Sequence, residues 1–136
     1  MIASRLSLAM STILISWLFI SLPANAADLT GLWASDAAAC SKIFQKKNGM
    51  IVIADDADLY GSGFIIEKNL IRGKIASCSI KTRKEDGAVT HFIANCSTDI
   101  AFQAVQFSLK LDNENKFTRI YPGVPELSTS YFRCSL

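Results

Sequence analysis

The clearest alternation of apolar and polar positions runs from Phe102 to Leu111. Phe102 and Ala104, then across a change of parity Val105, Phe107, Leu109 and Leu111, are apolar, while Gln106, Ser108 and Lys110 interleave with them. A period of two belongs to a strand with one face in a core. Shorter runs of the same kind cover Leu29–Trp33, Met50–Ala54, Tyr60–Ile66, Val89–Ser97, Lys116–Tyr121 and Leu127–Cys134. Leu70 to about Thr82 reads as one long strand bent near Gly73. Turn residues separate the runs at Asp55-Asp56-Ala57-Asp58, Lys68-Asn69, Lys84 to Ala88, Asp112 to Asn115 and Tyr121 to Pro125. One segment departs from this period. Cys40, Ile43, Phe44 and Lys47 lie 3, 4 and 7 residues apart on one stripe. Ser35 is placed to cap the start, Asp36 and Lys46-Lys47 suit the dipole, and Asn48-Gly49 is placed to end the turn. The pattern predicts a mostly β domain, an antiparallel small barrel or sandwich of about eight strands with one N-terminal helix. Closure into a barrel is the preferred form because it removes exposed strand edges.

The front of the chain is patterned differently. Arg5 precedes an apolar run from Ser7 to Leu22, Pro23 breaks it, and Ala24-Asn25-Ala26 supplies small residues for cleavage. This is the plan of a signal peptide over residues 1–26, with the domain over residues 27–136. The run is shorter than the roughly 20 residues a span needs, and no later segment is long enough, so no membrane span is expected after cleavage. Loss of Arg5 lowers the formal net charge from +2 to +1. Such near-neutrality argues against a nucleic-acid partner. The expected location is periplasmic or secreted.

Cys40, Cys78, Cys96 and Cys134 all lie beyond the cleavage site, at spacings of 38, 18 and 38. An even count in a small exported domain predicts two disulfides, and without a C-x-x-C a zinc knuckle or redox pair is not expected. A three-residue loop at Asp86-Gly87-Ala88 would pair residues whose numbers sum to 174, which sets Cys78 opposite Cys96. Ala76, Cys78 and Ile80 share one apolar face, and Phe92, Ala94 and Cys96 another. Cys78–Cys96 is therefore the expected hairpin disulfide, leaving Cys40–Cys134 to tie the helix to the last strand. On the chain-entropy account the long ring contributes ~4–5 kcal/mol and the short one ~3.

Gly31-Leu32-Trp33 near the start of a small β domain resembles the G-x-W start of lipocalins and related barrels. That resemblance implies a tryptophan packed at the closed end of a barrel. The departure is the helix expected directly after Trp33, where a lipocalin continues its first strand. A signal peptide, about 110 further residues, few disulfides and about eight strands are similar to small periplasmic barrels such as bacterial metalloprotease inhibitors, and to small exported bacterial β proteins of no assigned function. No inhibitor motif transfers residue by residue.

Candidate chemistry is sparse. Asp55, Asp56 and Asp58 offer oxygens to a hard cation such as calcium, but not at EF-hand spacing, and a solvated acidic turn is the plainer reading. His91 is the one histidine, in no Ser-His-Asp or Cys-His context, so no catalytic residue, cofactor or metal is assigned and the protein is read as a non-enzyme. Asn95-Cys96-Ser97 matches a glycosylation sequon, which a Cys96 disulfide would obstruct. Lys68, Arg72, Lys74, Lys81, Arg83 and Lys84 gather positive charge, with Lys81 and Arg83 expected on an outer hairpin face where they could meet an anionic partner, although a strand edge protected by charge against aggregation is the plainer reading. Tyr121-Pro122-Gly123-Val124-Pro125 is a stiffened loop that loses little entropy on binding, with an ordinary strand connection as the plainer reading. Tyr121, Pro122, Pro125, Lys81 and Arg83 form the candidate contact surface. The expectation is a non-enzymatic binding module for an exported protein, such as an inhibitor of an exported enzyme. The alternative is a carrier of a small apolar ligand, with a pocket lined by the Phe92 and Phe107 strands.

Overall fold

Eight antiparallel strands close on themselves, in the order β1-β10-β9-β8-β7-β6-β5-β4. The computed structural model describes residues 27–136; the expected signal segment, 1–26, lies outside the described residues. The barrel strands are β1 Gly31–Ala34, β4 Gly63–Glu67, β5 Leu70–Arg72, β6 Ser77–Asp86, β7 Val89–Ser97, β8 Phe102–Asn113, β9 Lys116–Ile120 and β10 Thr129–Cys134. From β4 onward they form a meander, and β1 closes the gap between β10 and β4. Between β1 and β4 the chain leaves the barrel for a 3-10 turn (Ala37–Ala39), one turn of helix α1 (Cys40–Ile43), a hairpin of β2 (Phe44–Lys47) and β3 (Met50–Ile53), and a second 3-10 turn (Ala57–Leu59).

The expected helix is thus cut short at Ile43, which is the main correction to the sequence reading. Asn48 and Gly49 adopt positive φ of 52° and 78°, the pair that a tight hairpin loop requires, and β2 and β3 pair on either side of them. The β-branched run Ile51-Val52-Ile53 needs a partner strand, and the hairpin supplies it from residues that would otherwise have extended the helix. Ser35 does not cap the helix. Its hydroxyl accepts from the Ser62 amide at 3.0 Å, stitching the two ends of the excursion, while the Asp36 carboxylate accepts from the Ala38 amide.

The long strand expected from Leu70 to Thr82 is two strands. Gly73 to Ala76 reverses the chain, closed by the Gly73 amide donating to the Ala76 carbonyl at 2.8 Å, and β5 folds back on β6. Met50–Ala54 lies outside the barrel and β5 takes the place thereby lost, so the barrel still holds eight strands. Phe102 and Ala104 face solvent, opposite Ser97 and Asn95, with the inward row of β8 beginning at Val105.

Two cores result. Inside the barrel Trp33, Ile66, Phe92, Leu109, Phe117 and Tyr131 pack together with the cysteines of β6 and β7. Outside it, Ile43, Phe44 and Ala57 cover Leu32, Ala34 and Ile65 on the outer face of β1 and β4. This second core explains why β1 is buried on both faces, Trp33 inward and its neighbours outward. The disulfide Cys40–Cys134 pins the excursion to β10, and Cys78–Cys96 joins β6 to β7 inside the barrel.

Candidate functional site

The two ends of the barrel are built differently. One end is closed off by residues 27–30, which leave only a small cavity of about 150 Å³ bordered by Leu29, Ile66, Ile80, Arg83 and Phe92. The Trp33 indole donates to the Leu29 carbonyl at 2.8 Å. Arg133 lies over the Trp33 ring, 4.4 Å from its centroid, and donates to the carbonyls of Thr30, Asp28 and Glu114. Arg83 donates to the Ala27 carbonyl at 2.6 Å and pairs with Glu85, whose other oxygen accepts from the buried Thr90 hydroxyl. Burial would raise the Glu85 carboxyl, but the donors Thr90 and Arg83 outweigh it and hold the group below its ordinary value. The Asp28 carboxyl is also held low, first by the Thr30 amide and hydroxyl.

Arg83 is therefore not on the outer hairpin face where the sequence placed it. The β-bulge between Ile80 and Thr82 shifts the register, so Arg83 stands opposite inward-facing Phe92 and reaches over the sealed end. Lys81 is the bulged residue itself and stays exposed. The same bulge reconciles the turn with the disulfide. The loop is the two residues Gly87-Ala88, with Asp86 opposite Val89, and the bulge restores Cys78 opposite Cys96. Of the other basic residues, Arg72 pairs with Glu67 and Lys74 with Asp58 of the acidic turn. Among the described residues no group of three or more acidic, His or Cys side chains is placed to hold a metal ion.

The opposite end is open. A cavity of about 260 Å³ enters the barrel there, walled by Phe64, Ile71, Phe107, Leu109 and Tyr131, with Ser62 and Arg119 as its polar groups. Arg119 stands opposite inward-facing Leu109, and its guanidinium sits 4.8 Å from the ring centroids of both Phe107 and Tyr121. It takes part in none of the ion pairs among the described residues. The Ser62 and Tyr131 hydroxyls are 3.4 Å apart at the same mouth. Below the cavity, Tyr131, Phe64, Phe117 and Trp33 form a continuous aromatic stack, with centroids 4.5 to 5.6 Å apart, that fills the barrel down to its seal.

The loops around this end carry most of the exposed large apolar side chains, Ile75, Ile100, Val124 and Leu127, with Phe102 at the start of β8 and Leu59 and Tyr60 on the excursion. Ile100 is 96% exposed, an extreme that no fold requirement explains. Tyr121, Pro122 and Pro125 belong to this end, where Pro122 and Gly123 form the tight turn closed by the Val124 amide donating to Tyr121. The expected contact surface is thus divided: the proline loop joins the open end, while Arg83 serves the seal. Arg119 was missed by sequence reasoning. Its signal was a charge in the inward row Phe117-x-Arg119-x-Tyr121, the position where a polar residue is most informative.

His91 lies on the outer side of β7, next to Thr90 and opposite Lys84. Its Nδ1 is 2.9 Å from the Ser108 hydroxyl. Ser108 is 3% exposed, so a substrate has little access to its oxygen, and no third group orients the ring among the hydrogen bonds of the described residues.

The fold and site define an eight-stranded antiparallel barrel with an aromatic cluster around Trp33, one sealed end and one open end. Its two disulfides point to an oxidising, extracytoplasmic compartment. No helix among the described residues is long and apolar enough to cross a membrane. Compared with protein-family models, curated proteins and solved structures, the chain matches none.

Proposed function

We propose that this protein is an exported, non-enzymatic binding module that seats a partner protein on the open end of its barrel. The observation that carries the reading is the gathering of exposed apolar side chains on the loops of that one end. Contiguous exposed apolar surface marks contact sites, and a proline-stiffened loop beside it adds surface at small entropic cost. Sealing the other end while leaving this one apolar and open is the arrangement of a one-sided binder. An exported enzyme inhibited by these loops is the partner class favoured by the overall plan, which resembles small periplasmic inhibitor barrels. The resemblance to lipocalins is supported by the buried Trp33 at the sealed end.

The second reading is a carrier of a small apolar ligand, favoured by the cavity at the mouth. At about 260 Å³ it lies under the ~300–1,000 Å³ of drug-sized sites, because aromatic side chains fill the lower barrel. Partner binding is therefore the first reading.

The test is native mass spectrometry of the protein purified gently from its own host, as wild type and as the Ile100→Asp/Leu127→Asp double variant. A protein complex present in the wild type and lost in the variant supports the first reading. A small-molecule adduct retained by both supports the second. A wild-type complex that survives the substitutions defeats the assignment of the open end. The same spectra report processing: a mass beginning at Ala27 and lacking four cysteine hydrogens is expected.

A further inference from the structure

We infer that the mouth cavity is a binding site for an apolar group that ends in a carboxylate, with Arg119 as the residue that reads the carboxylate. This deepens the reading of the open end as the binding end and rests on it. Three observations converge on the chemistry. The wall is apolar and aromatic, with Phe64, Phe107, Leu109 and Tyr131 offering surface to a short acyl chain or a single ring. Arg119 holds a permanent positive charge at that wall, and no carboxylate of the described residues is paired with it. Its guanidinium carbon lies over the rings of Phe107 and Tyr121, 4.8 Å from each centroid. These contacts are to ring faces and not to acceptor oxygens, and no ion pair of the described residues engages Arg119, so its planar N–H donors can offer a forked pair of hydrogen bonds.

The placement is not what folding alone selects. Opposite the buried Leu109, a residue in the inward row of β9 would ordinarily be apolar, while its other partner, Thr129, is half-buried at the mouth. Other inward-leaning arginines of this barrel, Arg83 and Arg133, are occupied by carbonyls and a carboxylate at the sealed end. Arg83 also borders a cavity, of about 150 Å³, but is paired there; Arg119 alone of the three takes part in no ion pair among the described residues. The Ser62 and Tyr131 hydroxyls at the mouth add hydrogen-bonding groups beside the same space. The cavity volume limits the inserted group to a small one. A free short-chain acid and the apolar C-terminal residue of a partner chain present the same chemistry.

The experiment is calorimetric titration of the folded, oxidised domain, with two matched pairs of probes. Octanoate is compared with 1-octanol, and N-acetyl-Leu-Phe with its C-terminal amide. Each acid is expected to bind ~10-fold or more tightly than its uncharged mate, the range of a hydrogen bond to a charged group. Arg119→Gln should erase that preference, and Arg119→Lys should restore it only in part, because an ammonium lacks the planar fork. Near-ultraviolet circular dichroism checks that the variants keep the aromatic packing. Binding of octanoate alone identifies the free acid as the source, and binding of the dipeptide alone identifies a chain terminus. Equal binding of acid and uncharged mate, an acid preference that survives Arg119→Gln, or no binding of either acid overturns the inference. Ile100→Asp/Leu127→Asp leaves the cavity wall intact, so that variant should still bind the acid. Loss of the protein complex with retained acid binding separates the two readings, as does the converse.

Discussion

The Arg133 guanidinium lies 4.4 Å from the centre of the Trp33 ring, and the two residues are direct cross-strand partners on β10 and β1. One side chain thereby holds the last strand, the first strand and the segment before it. Its donors reach the Thr30 carbonyl at 2.6 Å, Asp28 at 3.1 Å and Glu114 at 2.9 Å. Arg133→Ala should cost about 2 kcal/mol or more, from charged hydrogen bonds and the stacked cation together. Lysine should recover little, since it cannot reach several carbonyls in one plane. Urea denaturation measures the loss, and hydrogen exchange should show the amides of residues 28–30 opening first. A variant as stable as wild type would show that the seal contributes nothing.

Gly63 is where the barrel and the outer core meet. A Cβ there would lie 2.6 Å from Ile43 Cγ2, 2.9 Å from Phe44 Cζ and 3.2 Å from the Trp33 carbonyl oxygen. Ile43 and Phe44 are fully buried and have little room to retreat. Gly63→Ala should therefore destabilise by roughly 1–3 kcal/mol through overpacking. Gly49→Ala is the control. Its site is open, its φ is 78°, and the expected cost is about 1 kcal/mol from backbone strain alone. Thermal denaturation should rank Gly63→Ala as the more damaging of the two.

The disulfides should differ in accessibility. Cys78 and Cys96 are each 6% exposed within the barrel, whereas Cys40 is only half-buried on the outside. Thiol exchange depends on access to sulfur, so mild dithiothreitol should open Cys40–Cys134 first. Non-reducing peptide mapping during the reaction follows each bond. The Cys40→Ser/Cys134→Ser variant should lose ~2–5 kcal/mol, because that bond closes 94 residues of chain. Reduction of Cys78–Cys96 ahead of it would contradict the interior placement.

Glu85 predicts part of the acid response. Its carboxyl is held low in the folded state by Thr90 and Arg83. A lowered folded pKa stabilises the protein above the unfolded value of about 4.3 and loses that stabilisation as pH falls through the folded value. Glu85→Gln should reduce stability at neutral pH by less than about 1 kcal/mol, since the pair is partly solvated, and should flatten the acid limb. Denaturation midpoints measured from pH 7 to pH 3 would show it. An unchanged acid limb would rule out the Thr90–Glu85–Arg83 network as a contributor.

How legible the fold was depended on whether each feature was local. The alternation in β7 and the inward rows of β6 and β8 followed from period two, and the facing of Cys78 and Cys96 followed from adjacency in a hairpin. Even there the turn was one residue shorter than expected, and a bulge that no residue type announced supplied the difference. The Asn48-Gly49 pair carried two meanings, a helix end and a hairpin loop. The unmet pairing of Ile51 to Ile53 decided between them. Arg119 was legible as a charge in an apolar row, but its significance required knowing that the row faced an open mouth.

By itself the sequence determined what short-range physics controls: the period of most strands, several of the turns, an even set of cysteines and the hairpin pair Cys78–Cys96, with Cys40–Cys134 left as the remaining pair. Only the tertiary structure decided that β1 closes a barrel between β4 and β10, that Arg83 and Arg133 seal one end, and that Arg119 faces a cavity at the other. These are products of closure. When a sheet closes, residues far apart in the chain become neighbours, and a one-residue bulge is enough to change which face a side chain serves.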